Sequence, residues 1–229
     1  MRICERNAVL RFMIRRWVAI FASTVGAIKK TVVADERHRE DVRQARDAWP
    51  SWQKTVNPAQ LVFIDETGIR TDMIRPYGHA KGGRRCVDEA PGGHWNTVTF
   101  IGGLRLECMT APWCLDGAMT GAAFLTYVDT QRCPILKAGE RVIADNLSSH
   151  KVAGVRALIE AKGAKLLYIP PYSPDLNPIE QAFSKLKSLL RKAKARSFDT
   201  LCQTLGKLLE HVAKQECANY FQNAGYEPI

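Results

Sequence analysis

The sequence predicts an α/β fold: a mixed five-stranded sheet, three antiparallel strands followed by two βα units, flanked by helices. Three observations predict it. Short apolar, β-prone runs recur at residues 61–64, 97–101, 104–112, 141–144 and 165–169, each bounded by turn residues. Helical patterns stand after the third, fourth and fifth runs, giving the order βββαβαβα, which calls for local antiparallel pairing first and crossover connections later. The 229 residues are 46% hydrophobic and 24% charged, enough for one sizeable core plus an appendage.

Residues 1–30 read as one apolar and basic helix, with Leu10, Met13, Ile14, Trp17, Ile20 and Phe21 on a stripe. Arg15 and Arg16 before the apolar run 17–28 also resemble the start of an export signal. That run is too short to span a bilayer, and no small-x-small site precedes Lys29 and Lys30. No membrane partner is expected. Residues 35–49 carry mixed-sign charges at helical spacing and predict an exposed helix ended by Pro50. Residues 1–57 are therefore assigned to a helical N-terminal segment and linker, and residues 58–229 to the main domain.

The run 61–64 is a buried strand that delivers Asp65 and Glu66, after which Thr67 and Gly68 turn away. An acid at the end of a buried strand is costly unless paired, hydrogen-bonded or metal-bound, so Asp65 is a site candidate, and alternation sends Glu66 to the other face. Residues 68–94 form a Gly- and Arg-rich loop. Gly102 and Gly103 have hairpin spacing between the next two strands. A helix over 122–128 ends near Pro134. The strand 141–144 delivers a second acid, Asp145, and Ser148 or Ser149 caps the helix that follows, to about Lys162.

The strand 165–169 stops at Pro170 and Pro171. Turn chemistry over 173–177 leads to Asn177 as N-cap and Pro178 at the first helical position. Ile179, Ala182, Phe183, Leu186, Leu189, Leu190 and Ala193 then make a buried stripe. Glu180, Ser184, Lys187, Arg191 and Lys194 share an adjacent polar face, an acid at the mouth of the loop with bases running away from it. Glu180 has two readings at this point: a capping carboxylate that favours the helix dipole, or a metal ligand beside a phosphate track. A last helix covers 198–213.

Lys and Arg total 33 against 23 Asp and Glu, a net charge of +10 and a pI of about 9.4, which points to a polyanionic partner, nucleic acid ahead of membrane. Lys151, Lys185, Lys187, Arg191 and Lys194 are the candidate phosphate contacts. The seven cysteines show no C-x-x-C pair, which excludes a zinc-ribbon site and a disulfide framework and fits reduced thiols in a cytoplasmic protein. Asp65, Asp145 and Glu180 offer three hard oxygen donors, suited to Mg²⁺ or Mn²⁺ rather than zinc. Two such ions are the common device for in-line phosphodiester attack. His150 beside Ser148 and Ser149 is a weak mimic of a nucleophilic triad and reads better as a helix-start residue or DNA contact.

Three stretches carry a family resemblance: Phe63-Ile64-Asp65-Glu66-Thr67-Gly68, Ala144-Asp145-Asn146-Leu147-Ser148-Ser149-His150-Lys151, and Pro170-Pro171-Tyr172-Ser173-Pro174-Asp175-Leu176-Asn177-Pro178-Ile179-Glu180. Together they resemble the signatures of DDE transposases, in the bacterial insertion-sequence branch of the mariner superfamily, over roughly residues 30–226. Thirty-four residues separate Asp145 from Glu180, the spacing of that branch. The resemblance implies an RNase H-like fold. It implies Asp65, Asp145 and Glu180 as metal-binding catalytic acids that hold two Mg²⁺ or Mn²⁺ ions. It implies cleavage at element ends followed by strand transfer into target DNA, by a homodimer on the bacterial nucleoid.

Relatives carry a longer N-terminal helix-turn-helix region than the 60 residues before the first strand allow. The chain thus reads as a catalytic half whose recognition half is truncated or encoded in a separate reading frame. Two rivals follow: a non-catalytic DNA-binding remnant that modulates intact transposase, and a structure-directed nuclease of the same fold.

Overall fold

A computed structural model describes residues 34–75 and 77–227. The helix expected over 1–30 lies outside the described residues. The compact unit of the described residues begins at Asp35. A 3-10 turn, Asp35–His38, leads into helix α1, Glu40–Gln53. Pro50 lies inside α1 and does not end it. The helix continues because its next residues are held by packing: the tilted rings of Trp49 and Trp52 pack with centroids 4.5 Å apart, and buried Gln53 donates to the Ala224 carbonyl at 2.8 Å. Those contacts outweigh the backbone hydrogen bond that proline cannot make.

Strand β1 is Leu61–Arg70, β2 is Thr97–Leu104 and β3 is Met109–Asp116. The expected turn at Gly68 does not occur. Residues 63–70 of β1 pair antiparallel with residues 104–97 of β2, so the partner strand carries β1 straight through the glycine. Nor do Gly102 and Gly103 form the hairpin. Both lie within β2, the chain reverses at 105–108, where Arg105 N–H donates to the Cys108 carbonyl, and the register slips between Ile101 and Gly103. Gly103 is needed in the strand because the fully buried Arg132 fills the space a Cβ would take.

Helix α2, Gly121–Tyr127, runs through a π-turn into β4, Arg141–Ala144. Helix α3 is short, Val155–Glu160, preceded by a 3-10 turn at Ser148–Lys151 and started after Gly154; neither serine caps it. Strand β5 is Lys165–Tyr168, helix α4 Ile179–Ala193, α5 Phe198–Leu209 and α6 Lys214–Asn223. The closing helix expected over 198–213 is present but ends at Leu209, and a further helix, α6, follows it. Ser197 caps α5, its Oγ accepting the Thr200 N–H at 3.3 Å while Thr200 Oγ1 reaches back to the Ser197 N–H. Ser197→Ala is expected to cost about 1 kcal/mol, read as a lower urea midpoint at unchanged slope.

The sheet order is β3-β2-β1-β4-β5, with β1, β4 and β5 parallel and the first three strands antiparallel. The mixed five-stranded α/β sheet flanked by helices is thus present. Alternation along β1 sends Leu61, Phe63 and Ile69 to one face, under α4, α5 and α6, and Val62 and Ile64 to the other, under α2 and α3. The buried stripe of α4, Ile179, Ala182, Phe183, Leu186 and Leu190, meets the first face. Among the described residues no helix is long and apolar enough to cross a membrane.

Candidate active site

The site is created by a mismatch in strand length. β4 and β5 stop at Ala144 and Tyr168, while β1 runs on to Arg70 with only β2 beside it. The last β1–β4 register pair is Ile64 with Ala144, so Asp65 and Asp145 are the next residues out of neighbouring parallel strands. Both leave the sheet in the same direction. They line one cavity of about 620 Å³ together with Glu66, Asn146, Tyr172, Asn177 and Glu180. Glu180 arrives from the first turn of α4, and that turn makes no side-chain cap. The capping reading of Glu180 therefore has no hydrogen bond to support it.

Asp65 is 5% exposed. One oxygen accepts the Glu66 N–H and the other the Asn177 Nδ2–H, each at 2.8 Å. Burial, then the like charges of Asp145, Glu180 and Glu66, push its carboxyl well above the usual carboxylate range. Burial also raises Glu180; Lys187 pulls it down, and Asp145 and Glu66 raise it further.

Three residues play parts that the pattern of the sequence did not give them. Asn177, expected as an N-cap, spends its amide on Asp65, with Pro178 at the cap position instead. Its Oδ1 is buried without a partner. Glu66 does leave β1 on the opposite face from Asp65, yet it reaches the cavity because β4 has already ended. There its Oε2 lies 2.7 Å from His150 Nε2. His150, fully buried, pairs through Nδ1 with Asp145 Oδ1 and stacks on Phe124 at 4.1 Å. Burial alone would lower its pKa; the hydrogen bonds it donates to Asp145 and Glu66, and their negative charge, outweigh it and push the imidazole up to about 10. His150 is thus a charged bridge between two carboxylates, neither a nucleophile's base nor a surface contact. The one signal for this in the sequence is its place five residues after Asp145.

The candidate phosphate contacts divide. Lys187 and Arg191 line a second hollow of about 480 Å³ with Gly68, Arg70 and Asp72, along the open side of β1. Lys185 is engaged with Glu216 and the His211 carbonyl. Lys194 pairs with Asp88 at 2.8 Å, and Lys151 lies 5.6 Å from the Tyr168 ring centroid.

Among the described residues, no three Asp, Glu, His or Cys side chains stand close enough together to enclose an ion as they are. The donor chemistry nonetheless fits a hard divalent cation. Asp65, Asp145 and Glu180 offer carboxylate oxygens to one cavity, and the burial and like-charge repulsion that hold Asp65 and Glu180 high are what a bound cation would offset.

Residues 60–202 match a family model described as DDE superfamily endonuclease. In structure the chain is similar to the Mos1 transposase paired-end complex with left transposon end, at a TM-score of 0.68 and 17% identity over 92% of this chain and 67% of that one. The crystal structure of the Mos1 mariner paired end complex with Mn is similar at 0.68 and 16%, with the same coverage. The crystal structure of the catalytic domain of Mos1 mariner transposase is similar at 0.61 and 15% over 86% of this chain and 93% of that one. These likenesses establish the shared RNase H-like fold. The chain spans about two thirds of the full Mos1 chains and most of the length of their catalytic domain. No curated protein matches it in sequence.

Proposed function

Since the chain belongs to the DDE superfamily endonucleases, we propose that it is a mariner-type transposase catalytic domain that cuts DNA at element ends and joins the freed 3′ end to target DNA. The observation that carries this reading is the convergence of Asp65, Asp145 and Glu180 on one cavity, two of them just beyond the last β1–β4 register pair. A DNA strand is the partner that the net charge of +10 favours. Two copies would bring two element ends together, in the bacterial insertion-sequence setting of a nucleoid-bound protein. In this reading residues 58–229 form the DDE domain and residues 1–57 lead into it.

Asp65, Asp145 and Glu180 would hold the Mg²⁺ or Mn²⁺ ions, as a pair. When bound, such ions activate the attacking water or 3′-hydroxyl and stabilise the leaving oxygen of an in-line displacement. The chain's own residues do the rest. Asn177 fixes the Asp65 carboxylate by donating to Oδ2. His150 holds Asp145 and Glu66 on either side of its ring, so the carboxylates keep their orientation when the cavity carries no cation. Lys187 and Arg191 continue the cavity as a basic track on which backbone phosphates register the strand. The low exposure of Asp65 keeps bulk water from competing for the reacting phosphate.

The test is a Mn²⁺-supported joining assay with the purified chain and a pre-cut oligonucleotide carrying a 3′-hydroxyl. Joining that disappears in Glu180→Gln is the expected result. DNA binding without joining would instead establish the non-catalytic remnant.

A further inference from the structure

Helix α1 and the 3-10 turn before it grip the loop that leads into Glu180. Arg46 Nη1 and Nη2 donate to Asp175 Oδ1 and Oδ2 at 3.1 and 2.8 Å. Arg37 Nη2 donates to the same two oxygens at 3.0 and 3.1 Å. Arg46 also donates to Ser173 Oγ at 2.6 Å. A second strut runs through Tyr226, fully buried: its hydroxyl accepts the Trp49 indole N–H and donates to the Leu176 carbonyl, both at 3.0 Å. Three residues of the loop, Ser173, Asp175 and Leu176, are thus tied directly or through one side chain to one helix. The fourth, Asn177, donates to Asp65.

Ordinary surface ion pairs contribute little. This one differs in three respects. Both guanidinium side chains are only 20% exposed. They converge on a single carboxylate, one of them in the two-pronged geometry that adds direction as well as attraction. Burial would raise Asp175, but Arg46 and then Arg37 outweigh it and hold its carboxyl below the usual range. The loop also has a reason to need holding. Tyr172, on the cavity wall, has φ 54°, a left-handed conformation that a residue with a Cβ keeps only when its surroundings fix it.

We propose that Arg37 and Arg46 are positioning residues of the active site: they clamp Asp175, fix the loop 171–177, and through it set Asn177 against Asp65 and the start of the helix that carries Glu180. The inference rests on the DDE reading of the three acids for its meaning, but the clamp itself can be tested apart from that reading.

The experiment compares the full chain with Asp175→Asn and Asp175→Glu, and with Arg37→Gln as a milder change should the first not fold. In metal-free protein, Asp175→Asn is expected to speed amide exchange over residues 171–178 by about tenfold, with the β1–β4 amides protected as in the parent. Mn²⁺ affinity measured by calorimetry should fall by about tenfold, and Asp175→Glu should recover most of both losses. In the joining assay kcat should drop with KM for DNA unchanged, since no DNA contact is removed. Unchanged exchange over 171–178 would overturn the clamp. Faster exchange with parental Mn²⁺ affinity would overturn the positioning role, and so would equal loosening of the whole sheet. A parent chain that neither joins strands nor binds Mn²⁺ would fail the functional reading, while the exchange comparison would still decide whether the clamp exists.

Discussion

Asp65→Asn is expected to lower Mn²⁺-supported strand joining by about 10³-fold or more, the scale on which a preorganised charge at the reacting centre is lost, and at the same time to raise the melting temperature of the metal-free protein. The first effect follows from the place of Asp65 in the shared cavity. The second follows from its burial among Asp145, Glu180 and Glu66, which lifts its folded-state pKa. A carboxyl raised on folding contributes stability that is complete below its unfolded value of about 3.9 and is lost as pH climbs through the folded one. At pH 7 without metal, a charge on Asp65 therefore works against the fold. Asparagine removes that charge, and its amide can be received because Asn177 Oδ1 lacks a partner and the Asn177 side chain can turn to present it. Calorimetric melts in chelator at pH 7 and near pH 4 check the sign: the variant should gain at pH 7 and the gap should narrow in acid. A parent that melts higher at pH 7 would contradict the electrostatic account even if joining were lost.

Gly103→Ala should be the most damaging small change outside the cavity. A Cβ at that position would fall 1.7 Å from Arg132 Nη2 and 2.5 Å from its Cζ. The guanidinium cannot easily withdraw. It is fully buried and donates to Thr110 Oγ1 at 2.9 Å, the Thr110 carbonyl at 3.3 Å and the Tyr127 hydroxyl at 3.1 Å. Either the strand moves or those bonds break, and the loss should be about 3 kcal/mol or more. Urea unfolding measures it. A shift of less than about 1 kcal/mol, the size of ordinary surface changes, would mean that Arg132 has another place to go.

The sequence discloses the frame of the site better than its furnishing. Apolar runs ending in Asp65 and Asp145 are visible because a buried strand with an acid at its tip contradicts its own pattern, and the helical spacing after Pro178 places Glu180 on a face. What stayed hidden depends on partners remote in the chain. Gly68 and the Gly102–Gly103 pair look like breakers, but β2 carries β1 through the first and Arg132 claims the space at the last. Pro50 looks like a helix end, and contacts with a C-terminal segment carry α1 past it. Asn177 looks like a cap until Asp65 is seen beside it. The roles of Glu66 and His150 required knowing that β1 runs on past the end of β4 to Arg70, a length set by its pairing with β2 and not by local composition.

The same long β1 has a bearing on how much the domain tolerates changes in length. Its far end, Arg70, is held in register with Thr97 of β2, so the intervening loop begins and ends at neighbouring points, beyond the acids. Its closure is already fixed by the strand pair. Doubling such a loop adds only about 0.6 kcal/mol of closure entropy. The domain can therefore accommodate excursions of very different size at this point, while Asp65 and Asp145, placed by the β1–β4 pairing, keep the same spacing.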